Sequence, residues 1–325
     1  MKEITYKEAL REALSEEMIR DENVFLMGHD IGIYGGGFGV TEGLVLQFGE
    51  QRVIDTPISE AIIAGLATGA AISGLRPVIE AMFSDFVTLM MDNIVNQAAK
   101  FSFMSASQAC VPLVLRMPAG CGTGAGAQHS QSLEAWMCHV PGLKVVFPSN
   151  PYEAKGLMKA AIRDNNPVIF FEHKLAYSSI GYVPEDEYVI PIGQANIMRK
   201  GNHITMVSYG HSVQKCLMAA AHLKEIGISA EIIDLRTLYP LDEATIINSV
   251  KKTGRVMIVH EAVKTGGLGG EISAILSEKA FSYLKAPILR IAGKDVPIPF
   301  SKTLEEACVP QIQDIENAAK RLMRR

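Results

Sequence analysis

Asp55-Thr56-Pro57-Ile58-Ser59-Glu60-Ala61-Ile62-Ile63-Ala64-Gly65-Leu66-Ala67-Thr68-Gly69-Ala70-Ala71 is the most informative stretch of this sequence. An apolar strand closes at Asp55, Pro57 and Ser59 turn the chain, and Glu60 opens a helix nearly bare of polar side chains. Gly65, Gly69 and the alanines let other backbones come close, so this reads as a buried helix with one carboxylate at its mouth. By itself that carboxylate has a bland explanation: an acidic residue in a first turn answers the helix dipole.

Working outward, short unbroken apolar runs read as buried strands at 24–27, 52–55, 77–83, 111–117, 143–147 and 168–171. Helical segments alternate with them at 61–74, 85–104 and 152–163. The chain opens on a helix signed by a Thr5/Glu8 capping box, with Tyr6, Ala9, Leu10, Ala13, Leu14 and Met18 on one face. After the polar stretch 178–188, a second series follows: strands at 204–208, 230–234, 255–260 and 288–291, and helices at 211–226, 244–252, 271–283 and 311–324. This alternation predicts α/β architecture with two doubly wound domains. We place them at 1–180 and 196–325, joined by a linker at 181–195. Length agrees, since 325 residues suit two domains of roughly 100–200 residues each.

A formal net charge of −4, with 31 basic against 35 acidic residues, argues against binding to nucleic acid or a membrane surface through bulk charge. Five irregularly spaced cysteines without a C-x-x-C argue against a disulfide scaffold or zinc site. The uncharged stretch 61–75 is too short to span a bilayer, and the expected location is cytoplasmic. Three glycine clusters, at 35–39, 120–126 and 266–270, lack the Gly-Lys-Ser/Thr ending of a phosphate loop. None is a convincing dinucleotide fingerprint, so each reads as tight turns. A stand-alone nucleotide-binding dehydrogenase is therefore disfavoured.

The 55–60 segment with its Gly/Ala helix resembles the beta chains of the thiamine-diphosphate-dependent 2-oxo acid dehydrogenases. Such chains form half of the decarboxylating component of the pyruvate, branched-chain and acetoin complexes. Segments 35–43, 126–136, 141–146, 154–167 and 293–305 carry the same likeness, which covers essentially the whole chain. The resemblance implies an N-terminal pyrimidine-binding domain and a C-terminal domain like that of transketolase. It implies that Glu60 bonds a ring nitrogen of the cofactor's aminopyrimidine. Burial disfavours a carboxylate's charge, so a carboxyl in an apolar pocket can share a proton with such a nitrogen. Met82 and Phe86 match residues that line this pocket, Phe86 as a stacking ring. Their bland alternative is plain core.

Among the eight histidines, His129 follows a Gly/Ala-rich loop expected at the C-terminal edge of a sheet, where α/β sites gather. The resemblance gives it acid–base work at the site's mouth. The alternative is a histidine bonded to a nearby carbonyl. His29 and His260 lie at strand ends and stay unassigned, whereas His139 reads as structural. The family likeness further implies a potassium ion held by Leu113, Ala161, Ile162, Asp164 and Asn166, mainly through backbone carbonyls at a helix end. The chain has Asn165-Asn166 but no Gly-Asp-Gly, the other half of the usual diphosphate and magnesium motif. The simplest inference is that an alpha subunit supplies that half, in an α2β2 heterotetramer with the cofactor at the α/β interface.

The function expected is oxidative decarboxylation of a small 2-oxo acid, with acyl transfer to a lipoyl-bearing dihydrolipoyl acyltransferase. Segments 235–242 and 293–305 look most like pyruvate enzymes. Segment 172–178, with 99–101, resembles acetoin enzymes. Val40 stands where the pyruvate pattern carries Arg, which also leaves branched-chain acids open. The rival from another class is a non-catalytic interaction subunit of the same fold.

Overall fold

The computed structural model describes residues 1–324. The N-terminal lobe runs β1 (Lys2–Thr5), α1 (Tyr6–Arg20), β2 (Val24–Gly28), α2 (Leu44–Phe48), β3 (Val53–Asp55), α3 (Glu60–Ile72) and β4 (Arg76–Glu80). It continues with a 3-10 turn (Ser84–Leu89), a π-helical turn (Asp92–Ala98), α4 (Ala99–Met104), β5 (Val114–Ala119), α5 (Glu134–Cys138), β6 (Lys144–Val146), α6 (Pro151–Arg163), β7 (Val168–His173) and β8 (Ile180–Val183). The C-terminal lobe runs β9 (Asn196–Arg199), β10 (Ile204–Ser208), α7 (Ser212–Glu225), β11 (Ala230–Asp234), β12 (Thr237–Tyr239), α8 (Glu243–Thr253) and β13 (Val256–Val263). Then come α9 (Leu268–Lys279), β14 (Leu289–Gly293), α10 (Lys302–Cys308) and α11 (Ile312–Met323).

The first sheet has the order β12-β6-β7-β5-β4-β2-β3, parallel throughout except at β12; the second is β14-β13-β10-β11-β9, with only β9 antiparallel. Both are the doubly wound lobes that the unbroken apolar runs predict. One apolar cluster is shared between them. It joins Ile79, Leu115 and Phe171 of the first sheet to Val207 and Ile258 of the second, through Ile63 of α3, Ile246 of α8 and Ile272 of α9. Separate clusters seal the outer faces, one under α1 and α6 and one under α7 and α11. The capping box forms as expected, with Thr5 Oγ1 accepting from the Glu8 N–H and the Glu8 carboxylate from the Thr5 N–H. The predicted apolar face of α1 is buried along its length.

Four features differ from the sequence reading. The expected helix at 85–104 is broken into 3-10, π and α turns. Asp85 accepts from the Gln131 N–H and Ser84 donates to the Gln131 carbonyl, so this segment is held to the loop after β5 instead of coiling freely. Residues 180–183, at the expected start of the linker, pair antiparallel with β1. Strand β12 leaves its own lobe and extends the first sheet beside β6. Finally, α3 is buried only at Ile63, Ala64, Ala67, Thr68 and Ala71, while Ile62 and Leu66 are exposed. Composition alone does not say which side of an apolar helix meets its sheet.

A charge network crosses the middle of the first sheet. Arg116 on β5 grips Glu172 on β7 with two bonds of 2.8 and 2.9 Å, and Glu80 on β4 with one of 2.7 Å. The Tyr177 hydroxyl donates to Glu172 at 2.7 Å. Burial pushes Glu80 up from the carboxylate range, opposed by Arg116, while the two carboxylates hold Arg116 charged against its own burial. Replacing Arg116 with Met should cost about 3–5 kcal/mol, because it strands two buried carboxylates. Denaturant titration reads this directly; a loss below about 1 kcal/mol would mean that the network contributes nothing specific.

Candidate active site

Strands β2, β3 and β4 end side by side, with Gly28 opposite both Asp55 and Glu80. The chain leaves β2 toward β3 on one side and reaches β4 on the other. The crevice beyond β2 and β4 is thus the topological switch point, where α/β sheets bind their ligands. His29 follows β2 there, Glu60 opens α3 just after β3, and Met82 follows β4.

Glu60 is buried, yet its carboxylate accepts no hydrogen bond from any described residue. Its neighbour is His29, whose Nδ1 lies 4.0 Å from Oε1. The Ser59 N–H donates to His29 Nε2 at 3.1 Å. That bond assigns the proton of the neutral ring to Nδ1, the nitrogen near Glu60. His29 is itself buried. Sequence reasoning left His29 unassigned; its place at the end of β2 was the available signal.

The loops that follow β4 and β5 build an aromatic wall. Met82 packs beneath the loop after β2, where a Cβ on Gly37 would lie 3.5 Å from its Cγ. The His129 ring stands edge-on to Phe83 at 4.8 Å and to Phe86 at 5.4 Å between centroids. Lys174 donates to the His129 carbonyl, and its ammonium sits 5.4 Å from the Phe83 ring centre. Burial pushes Lys174 below the usual lysine range, with Asp85 opposing. The structure therefore brings His129 and Phe86 together, and adds two residues that the sequence reading missed. Phe83 was hidden at the end of an apolar run, and Lys174 lies in segment 172–178, which the sequence marked only by its likeness to acetoin enzymes.

The five residues named for potassium gather where α6 ends. The Ile162 and Asp164 carbonyls accept from the Arg76 guanidinium at 2.9 and 3.2 Å. The Leu113 carbonyl accepts from the Val168 N–H at 2.8 Å and that of Ala161 from the Asp164 N–H at 3.3 Å. The Asp164 carboxylate pairs with Lys144 and accepts from the Asn166 N–H at 2.9 Å. Lys144 and Asn166 hold Asp164 below its usual range against the effect of burial. These are hard oxygen atoms, and each carbonyl keeps a second lone pair.

Comparison with known proteins agrees with this architecture. Residues 2–179 match the pyrimidine-binding domain of transketolase, and residues 193–315 match the transketolase C-terminal domain. A pyruvate dehydrogenase E1 component subunit beta of Rickettsia felis is 49% identical, covering 98% of both chains. A 2-oxoisovalerate dehydrogenase subunit beta of Bacillus subtilis is 47% identical, covering 99% of both. The pyruvate dehydrogenase E1 component subunit beta of Rhizobium meliloti is 48% identical over 98% of this chain and 70% of its own length. Among solved structures, a split-gene transketolase described as an inactive beta4 tetramer shares the fold, with a TM-score of 0.79 at 21% identity, covering 99% of this chain and 98% of that one. With both domains matched and nearly half of its residues shared end to end, the chain belongs to the transketolase-like family of 2-oxo acid dehydrogenase E1 beta subunits.

Proposed function

We propose that this chain is the beta subunit of a pyruvate dehydrogenase, that Glu60 and His129 are its catalytic residues, and that it works only with an alpha subunit. One observation carries the catalytic reading. Every other buried aspartate or glutamate among the described residues accepts a hydrogen bond: Glu172 from Arg116, Glu153 from Arg236, Glu134 from Tyr209, Glu305 from backbone N–H groups. Glu60 has none. Its oxygens are not sealed from solvent, so the carboxylate is open to a group that enters the crevice. A ring nitrogen there would give it the hydrogen bond that the protein does not, so the residues present fit an aminopyrimidine.

Thiamine diphosphate, when bound, supplies a carbon nucleophile and an electron sink for decarboxylation. Glu60 would hold a proton at the aminopyrimidine nitrogen, and His29 would hold Glu60 in place. Met82 and Phe86 would line the ring, with Phe86 stacking on it. His129, at the aromatic wall, would move protons as the acyl group leaves for a lipoyl arm. Potassium at the end of α6 would be structural, held chiefly by the carbonyls of Leu113, Ala161, Ile162 and Asp164, with Asn166 beside them.

The absence of Gly-Asp-Gly supports an alpha subunit that holds the diphosphate and magnesium. Ile58, Ile62 and Leu66, exposed beside Glu60, support a partner that covers this edge in an α2β2 assembly. The division at 180 and 196 and a cytoplasmic location belong to the same proposal; among the described residues no helix is long and apolar enough to cross a membrane. Pyruvate is the preferred substrate because several relatives bear that name. The Bacillus subtilis relative keeps branched-chain 2-oxo acids as the second reading.

Purification of the tagged chain from its own cells should bring down, in equal amount, a partner carrying Gly-Asp-Gly and a downstream Asn-Asn. Elution without one overturns the split site. In that complex, Glu60→Ala should lower turnover with pyruvate by at least about 100-fold while the fold melts normally. Unchanged turnover favours the non-catalytic subunit. His129→Ala should slow acylation of a free lipoyl domain by about 100-fold, and slow decarboxylation with a soluble electron acceptor far less. Equal losses in the two assays would remove the transfer role.

A further inference from the structure

The glycine cluster 120–126 gives no phosphate motif, yet the structure folds it as an anion-binding turn. Gly120, Gly122, Gly124 and Gly126 have φ values of 84°, 104°, 67° and 78°. Left-handed residues at alternate positions turn successive N–H groups toward one side, a concavity that takes an anion. The anion here comes from the protein's other lobe. Glu305 on α10 accepts from the Gly122 N–H through Oε1 at 2.6 Å and from the Gly124 N–H through Oε2 at 3.1 Å. Glu261 on β13 accepts from the Cys121 N–H at 2.6 Å, its second oxygen lying 3.0 Å from His173 Nε2. Burial raises Glu261, but His173 and the Cys121 N–H outweigh it and hold this carboxylate at about 2. Glu305 is 1% exposed, so both of its oxygens are committed to the turn.

What this turn leads into gives the contact its meaning. The Gly120 N–H donates to the Gln131 carbonyl at 3.2 Å, closing the loop on itself, and the His129 N–H donates to the Gly126 carbonyl at 3.2 Å. The Phe300 ring lies against Gly126, where a Cβ would stand 2.5 Å from it. His129 therefore rides on a loop whose far side is fixed by Glu305, Glu261 and Phe300, all from the C-terminal lobe. Its ring meets Phe83 and Phe86 of the N-terminal lobe.

We propose that Glu305 is a positioning residue: its carboxylate fills the 120–126 turn and sets where His129 stands in the crevice. This rests on the reading of His129 as an acyl-transfer residue. A carboxylate that accepts two N–H groups, one on each oxygen, is hard to replace. The amide of Glu305→Gln keeps one acceptor and turns its NH2 against the second donor.

The test uses the full complex with its alpha subunit, assayed for acylation of a free lipoyl domain and for decarboxylation with a soluble electron acceptor. Glu305→Gln should lower kcat for lipoyl acylation by about tenfold with KM for the lipoyl domain little changed, since small misplacements of a reacting group are costly. Decarboxylation should fall by less than about twofold, and the double variant with His129→Ala should be no slower than His129→Ala alone. Amide exchange over 120–131 should quicken while that of α7 and α8 holds. Phe300→Ala, at an exposed side chain, should produce the same pattern more weakly in a normally folded protein. Equal loss in both assays, or penalties that multiply in the double variant, would make Glu305 a structural contact and overturn the proposal. If His129→Ala leaves lipoyl acylation intact, the reading of His129 fails first and this one falls with it. If His129→Ala is selective and neither Glu305→Gln nor Phe300→Ala is, only the positioning role is lost.

Discussion

Arg116 is the constraint on which the rest of the molecule depends. One guanidinium in the middle of a parallel sheet holds Glu80 and Glu172, so β4, β5 and β7 are tied by charge as well as by their ladders. Such a network is not a cheap source of stability, because desolvating three charges offsets most of their attraction. What it gives is position. The loops that follow these strands carry Met82, Phe83 and Phe86, the 120–131 turn with His129, and Lys174. A slip of one strand would move an entire wall of the crevice.

Carboxylates then divide into two kinds. Most buried ones are spent on structure, each answered by a guanidinium, a hydroxyl or an N–H group. Glu305 and Glu261 extend this logic across the lobes, where they take the part that a bound anion plays in a phosphate loop. Among the described residues Glu60 is the exception, buried with the His29 Nδ1 4.0 Å away and accepting no hydrogen bond. Its oxygens are not sealed from solvent, unlike the unpartnered Oε2 of Glu134 and Oδ2 of Asp234, so Glu60 is the buried residue whose carboxylate stays open to the crevice.

Much of the fold was legible because parallel strands buried on both faces leave unbroken apolar runs, and helices announce themselves by spacing and caps. The Thr5/Glu8 box and the face of α1 were readable residue by residue. Short or borrowed elements were not. Strand β12 pairs with β6 only because the lobes pack together, and β8 finds β1 across almost 180 positions of chain. The 85–104 segment carries helical spacing, but its contacts with Gln131 outweigh propensity.

The sequence by itself determined the kind of lobes, the glutamate at the mouth of an apolar helix, the histidine beyond a glycine loop, and the lack of a Gly-Asp-Gly. These are local or compositional facts, written in residues that stand near one another along the chain. Only the tertiary structure decided that His29 faces Glu60, that Phe83 and Lys174 flank His129, and that the 120–126 glycines receive a carboxylate from residue 305. Each of these joins residues far apart in the chain, and no periodicity records them. They exist because the strands come into register and the two lobes close over one shared core.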